Sequence, residues 1–225
     1  MKLVIFDLDD TLIDFASTRQ AAYRLIGEVV EREGIAAEPF LRACAEVDRP
    51  LFARFERGEL TRTEYRARRF LEPFDHVRST PRDGLVEELN RLFMDCVNDR
   101  PLLHDDALPV LRRLRAQGLW TAILTNGPSD GQRRKLRATG LGEAVDLVAI
   151  GEEIGASKPM ARAFRHVVDH FGLTPPQALM VGDSPALDHD AALDAGLAAL
   201  LLDRAGQHAG SARACVGSLH AVAGG

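Results

Sequence analysis

Asp7 and Asp9 stand two residues apart directly after the apolar run Leu3-Val4-Ile5-Phe6, in a segment, DLDDT, that ends at Thr11. Carboxylates so placed would project their charges into the crevice where open α/β sheets bind ligands. Holding them out of water is costly without a counter-charge, and a divalent cation or a protein cation would supply it. Three later clusters offer what phosphate chemistry needs besides. Thr125-Asn126-Gly127 carries a hydroxyl, an amide and a flexible backbone, donors that suit phosphate oxygens. Lys158, within Ser157-Lys158-Pro159, brings a cation to a predicted helix start, where the helix dipole gives it no benefit. Asp183 follows Leu179-Met180-Val181-Gly182 as a second acidic strand end, with Asp188 five residues beyond. Asp183 could share Mg²⁺ with Asp7, and Asp188 could hold one of the ion's waters or orient Lys158.

Each cluster alone also has an ordinary structural role. Asp and Thr favour strand ends and caps, Asn126-Gly127 is a strong turn dipeptide, most lysines are solvent-exposed, and Asp183 or Asp188 could cap a helix through residues 191–195. The set favours a site because every member falls at a strand or helix boundary and supplies a different group.

The elements that must position these groups can be read from the pattern. Leu3 to Phe6 is short, apolar and β-branched or aromatic, as expected of a strand buried on both faces of a parallel sheet. From Pro101 onward, helical stretches alternate with apolar runs at residues 120–124, 147–150, 178–181 and 198–202, which predicts βαβ units. Ligands of open α/β sheets bind at the carboxyl ends of the strands, where Asp7, Asp9, Thr125 and Asp183 fall. Between the first strand and residue 100 the pattern is helical. Ser17 with Gln20, and Thr61 with Glu64, have capping-box spacing, and Thr80-Pro81 places proline at a first turn. Gly34 and Gly58 are natural stops, and Glu72-Pro73 predicts the end of the third helix. Ser129/Gln132 and Thr174/Gln177 repeat the capping spacing, and the last stretch from Arg204 reads as a short helix. The expected fold is α/β, a Rossmann-like parallel-sheet core of residues 1–15 and 98–225 flanked by helices, interrupted by an inserted α-helical bundle at 16–97.

Composition narrows the classes. The chain has 225 residues, 46% hydrophobic and 27% charged, with a formal net charge of −5, a globular composition without the basic signature of a nucleic-acid binder. Three separated cysteines form no CxxC pair, so neither a disulfide framework nor a zinc site is expected, and a reducing cytoplasm fits best. No apolar run reaches membrane-spanning length.

In order and strand context, DLDDT at Asp7 to Thr11, LTNG at Leu124 to Gly127, SKP at Ser157 to Pro159, and GDS at Gly182 to Ser184 with Asp188 resemble the four motifs of the haloacid dehalogenase-like hydrolase superfamily. Leu187 stands where asparagine is frequent in that family. The helical insert resembles the cap of subfamily I. The segments FDLDDTLID, TNG and GEEIGASKP are similar to those of phosphatases acting on nucleoside monophosphates or acylneuraminate phosphates. The resemblance implies a phosphomonoester hydrolase acting on a small phosphorylated metabolite, with no polymer or membrane partner, as a monomer or homodimer. Asp7 would be the nucleophile and Asp9 the acid/base. Thr125, Asn126 and Gly127 would hold phosphoryl oxygens, and Lys158 would neutralise charge. Asp7, Asp183 and the Asp9 backbone carbonyl would bind Mg²⁺, with Asp188 in support. Asp10 has no assigned role beyond a turn or a bond to nearby backbone. The cap would close over the site to exclude water and read the leaving group. The alternatives are a phosphomutase, a metal-free 2-haloacid dehalogenase, against which Asp9 and Asp183 argue, or a binding module that has lost catalysis.

Overall fold

The computed structural model describes residues 1–208 and 210–223. Its chain divides into two compact units, Met1–Ala16 with Pro101–Gly225, and Ser17–Arg100. Among the described residues the first unit holds a six-stranded sheet of β1 (Leu3–Phe6), β2 (Trp120–Thr125), β3 (Leu147–Ile150), β4 (Ala178–Gly182), β5 (Ala198–Leu202) and β6 (Cys215–Val216), ordered β3-β2-β1-β4-β5-β6. All neighbouring pairs are parallel.

β1 lies where the strand order reverses, the position at which open α/β sheets bind ligands. Its four residues are fully buried and alternate between two cores. Val4 and Phe6 pack with Val110, Leu111 and Leu114 of the helix Ala107–Ala116, whereas Leu3 and Ile5 pack with Phe164, Val167 and Val168 of the helix Ala161–His170. A strand covered by helices on both faces must be apolar at every position, so its first acid falls where the cover ends. Phe6 pairs in register with Ile123 and with Val181. Asp7, Thr125 and Asp183 therefore emerge at nearly the same level, within one residue of each other along the sheet.

The second unit is helical: α1 (Phe15–Arg32, starting in the first unit), α2 (Ala37–Glu56), α3 (Arg62–His76) and α4 (Leu85–Asp99). Thr61 caps α3 as its spacing predicts, accepting from the Glu64 amide at 3.2 Å while Glu64 Oε2 accepts from the Thr61 amide at 2.8 Å. Gly34 and Gly58 follow the ends of α1 and α2 with φ of 78° and 73°, the left-handed turn that glycine accepts without a Cβ penalty.

Several local signals were overridden. Ser17 lies inside α1, because Asp10 takes over the helix start by accepting the Ala16 amide at 2.8 Å. Asp10 itself sits at φ 59°, a turn position that Asp tolerates better than most residues. Thr80-Pro81 precedes rather than opens α4, which begins at Leu85, the first residue with apolar surface to bury. Pro73 does not stop α3, since burial of Phe70 and of Phe74, whose ring lies 4.8 Å from that of Phe40, carries the helix past it. Thr174 and Gln177 pair as expected, with the Thr174 amide on Gln177 Oε1 at 3.0 Å, but over a single 3₁₀ turn before β4. The tail after Arg204 is not one helix: it adds β6 beside β5 and ends in a 3₁₀ turn at Leu219–Val222.

Arg204 ties this tail to the loop after β1. Its guanidinium grips both Asp106 oxygens at 2.8 and 3.0 Å and donates to the Thr11 carbonyl at 3.1 Å, and Asp106 also accepts the Leu219 amide at 2.9 Å. Against the upward push of burial, these donors hold the Asp106 carboxyl below its ordinary value. A depressed carboxyl contributes stability above its unfolded pKa of about 3.9 and loses it as pH falls through the folded value. Asp106→Asn is therefore expected to cost about 1 to 3 kcal/mol in urea unfolding at pH 7. The gap to the wild type should narrow as the pH approaches and passes below about 4, and a gap independent of pH would refute the assignment.

Candidate active site

Lys158 lies at the centre of one half of the site. Its ammonium donates to Asp7 Oδ1 at 2.5 Å and to Asp188 Oδ1 at 2.6 Å, and the residue is only 5% exposed. Asp188 sits on a π-helical turn, Pro185–Asp190, and its second oxygen accepts the Ser184 amide at 3.0 Å. A Cβ at residue 182 would run into the Asp188 carboxyl, so the strand must end in glycine for that acid to reach the lysine. Asn126 holds Lys158 from the other side. Its Oδ1 accepts the Lys158 amide at 2.8 Å and its Nδ2 donates to the Lys158 carbonyl at 2.7 Å. The Asn126 side chain is thus a strut that fixes the lysine, leaving backbone rather than amide as what it can offer a ligand.

The other half is built on Asp9. Lys135 Nζ bridges both its oxygens at 2.7 and 2.8 Å. Gln132 Nε2 donates to Asp9 Oδ2 at 2.9 Å and to Thr125 Oγ1 at 2.7 Å. Both residues come from the helix Ser129–Thr139 and are buried. The sequence pattern reads Gln132 as the partner of a Ser129 cap. That expectation is overturned, because Pro128 is the cap position and the Gln132 amide points into the site instead. Gly127 makes room for it, since a Cβ there would overlap the Gln132 side chain. Lys135 is absent from the sequence reading because its one same-face neighbour with a legible role, Gln132 three residues before it, reads as a cap partner. A lysine on the core side of a helix needs a partner.

Acids outnumber cations where Asp7, Asp183 and Asp188 converge, each offering an oxygen within 4.8 Å of the others. Burial pushes the Asp7 carboxyl well above its ordinary range, with Asp188 and Asp183 adding to the rise and Lys158 opposing it. Burial followed by repulsion from Asp188 and Asp10 pushes Asp183 up to about 6. Lys158, despite its burial, is kept protonated by its two carboxylates. Three carboxylates against one ammonium leave a deficit of positive charge, and an all-oxygen donor set is the kind Mg²⁺ takes. Asp188 is committed to Lys158 and Ser184 through its two oxygens, which leaves Asp7 and Asp183 as the side chains able to hold the ion. Thr11 Oγ1, 3.3 Å from Asp183 Oδ1, steadies the latter.

A doubly wound parallel sheet whose switch-point strand ends in paired acids, faced by a buried lysine, has the architecture of an α/β enzyme. A family model described as haloacid dehalogenase-like hydrolase matches residues 1–196. The chain belongs to that family. Phosphoserine phosphatase of Thermus thermophilus is 33% identical over 225 residues, spanning 91% of this chain and 89% of that protein. Pyrimidine 5'-nucleotidase YjjG of Escherichia coli is 29% identical over 202 residues, spanning 89% and 85%. Among solved structures, HAD-hydrolase YfnB of Bacillus subtilis bound to magnesium superposes with a TM-score of 0.80 at 24% identity, covering 98% of this chain and 96% of that one, a likeness of fold.

Proposed function

We propose that the chain is a Mg²⁺-dependent phosphomonoesterase that acts on a small phosphorylated metabolite through an aspartyl-phosphate. The observation that carries this is the buried Lys158 ammonium shared by Asp7 and Asp188 beside a separately held Asp9. Asp7 Oδ2, which has no protein donor among the described residues, attacks phosphorus while Lys158 holds Oδ1. The bond to the leaving oxygen breaks, and Asp9 gives that oxygen a proton. Asp9 then takes a proton from the water that attacks the aspartyl-phosphate, releasing phosphate and restoring Asp7. Thr125 Oγ1 and the Asn126 and Gly127 backbone hold phosphoryl oxygens, and Lys158 meets the charge that shifts onto them. Asp7, Asp183 and the Asp9 carbonyl hold the metal, which when bound neutralises phosphoryl charge and fixes the group for attack. The helical unit, Ser17–Arg100, has the sequence position of a cap.

The named relatives act on phosphoserine and pyrimidine nucleotides, which supports phosphate monoesters of small metabolites as the substrate class. The test is a panel of nucleoside monophosphates, O-phosphoserine, sugar phosphates and phosphoglycolate, assayed for inorganic phosphate with Mg²⁺ and with chelator. Release that needs Mg²⁺ and no sugar bisphosphate is expected. Full activity on a 2-haloacid in chelator, or activity only when a sugar bisphosphate is supplied, would replace the reading with a dehalogenase or a mutase.

A further inference from the structure

We propose that Lys135, together with Gln132, is the positioning device of the acid/base residue, so that the catalytic unit extends into the helix Ser129–Thr139. The inference rests on the phosphomonoesterase reading above. The Lys135 ammonium is fixed from two sides: it spans both Asp9 oxygens at 2.7 and 2.8 Å, and it lies 4.2 Å from the centre of the Phe15 ring. Its side chain is 5% exposed, whereas that of Asp9 is 27% exposed, so the pair is closed on the lysine side and open on the acid side. Asp9 Oδ2 is filled, by Lys135 and by Gln132 at 2.9 Å. Oδ1 accepts only from Lys135 among the described residues, and its remaining lone pair is where a proton can be carried. Gln132 also donates to Thr125 Oγ1 at 2.7 Å, which ties the acid's orientation to the hydroxyl at the end of β2.

The arrangement matches what the first chemical step requires. When Asp9 passes its proton from Oδ1 to the leaving oxygen, the carboxylate left behind meets an ammonium already in place, with no reorganisation. The same ammonium restrains the anion while it waits to accept the proton of the attacking water. An ion pair buried on its lysine side alone adds little stability, because desolvating the ammonium offsets much of an attraction that solvent screens at the acid. Its presence against the acid/base residue, with a second donor from the next turn of the same helix, points to a role in the reaction. No hydrogen bond or ion pair joins Lys135 to Asp7 or Lys158 among the described residues, so its polar influence passes through Asp9.

The test compares kcat/KM, which covers only the steps through release of the alcohol, for p-nitrophenyl phosphate and glycerol 2-phosphate. The nitrophenolate leaves without help, whereas the glycerol alkoxide needs a proton. Lys135→Met is expected to lower kcat/KM for glycerol 2-phosphate about 10- to 100-fold, part of what general acid catalysis supplies, and for p-nitrophenyl phosphate by less than about 5-fold. On an Asp9→Asn background Lys135→Met should change either value by less than about 2-fold, because a residue acting through Asp9 has nothing left to position. Gln132→Met, which keeps the volume and introduces no charge, frees Thr125 as well as Asp9, so it should lower both values, with the larger loss still for glycerol 2-phosphate. It serves as the variant of record if Lys135→Met does not melt cooperatively. An equal loss for both substrates, or an undiminished loss on the Asp9→Asn background, overturns the proposal and leaves the phosphatase reading intact. Absence of phosphate release by the wild type from both substrates overturns the phosphatase reading itself.

Discussion

Asp7→Asn is expected to reduce phosphate release by at least about 10³-fold, since the covalent route ends when its nucleophile is lost. An amide nitrogen or oxygen is a far weaker nucleophile than a carboxylate, yet it occupies the same volume and can still accept from Lys158. Stability should move the other way. Burial raises the Asp7 carboxyl well above its ordinary range, so ionised Asp7 is a cost to the fold at neutral pH, and an amide does not carry it. The variant should therefore melt at or above the wild-type temperature while its kcat/KM collapses. That opposition separates loss of chemistry from loss of structure. Phosphate release equal to that of the wild type would sink the aspartyl-phosphate mechanism, whereas an inactive variant that melts far lower would show Asp7 to be a structural acid.

How much of the site was legible in the sequence depended on whether a residue's reason for being there was local. Asp7 and Asp183 could be found because each follows an apolar strand, and a strand covered on both faces announces where its cover stops. The five strands that are buried or half-buried were legible for the same reason. The two-residue β6 was not, because Ala214-Cys215-Val216 is too short an apolar stretch to announce a strand, and it is defined by its pairing with β5, where Leu201 and Asp203 donate to the carbonyls of Ala214 and Val216. Gln132 and Lys135 were hidden differently. Their partner Asp9 lies 123 and 126 residues away along the chain, and locally Gln132 fits a helix cap well enough to be misread as one. Arg204 and Asp106, 98 residues apart, form a tie that no spacing rule reports. Pro73 and Thr80-Pro81 show the same principle for the helices. A proline costs a helix one hydrogen bond and some clash, about 3 kcal/mol, and the buried rings of Phe70 and Phe74 are enough to outweigh it. Local signals proposed the elements, and burial decided where they ended.

Lys158→Met should be the most damaging single change, because it acts on both chemistry and fold. In the native site one ammonium, 3% exposed, is shared by two carboxylates that are themselves largely buried. Its removal leaves Asp7 and Asp188 facing each other, with Asp183 close by, and no protein cation among them. Breaking a buried pair by deleting one partner costs about 3 to 5 kcal/mol, and that loss is expected in urea unfolding at pH 7 without added metal. The sign of its pH dependence follows from Asp7. Its carboxyl already lies above the unfolded value and loses the lysine's opposing pull, so it rises further. A carboxyl raised in the folded state destabilises once pH exceeds its unfolded pKa; the penalty falls as pH drops below the folded value and is gone only below the unfolded one. The deficit of Lys158→Met relative to the wild type should accordingly shrink as the pH falls from 7 toward the unfolded carboxyl value of about 4, opposite to the ordinary acid weakening of a fold held by ionised carboxylates. Phosphate release should fall by about 10²- to 10³-fold, since the charge that shifts onto the phosphoryl oxygens loses its protein counterpart. A variant as stable as the wild type at pH 7 would mean that the acids had found another partner. Unimpaired turnover would mean that the lysine holds the fold and not the reaction.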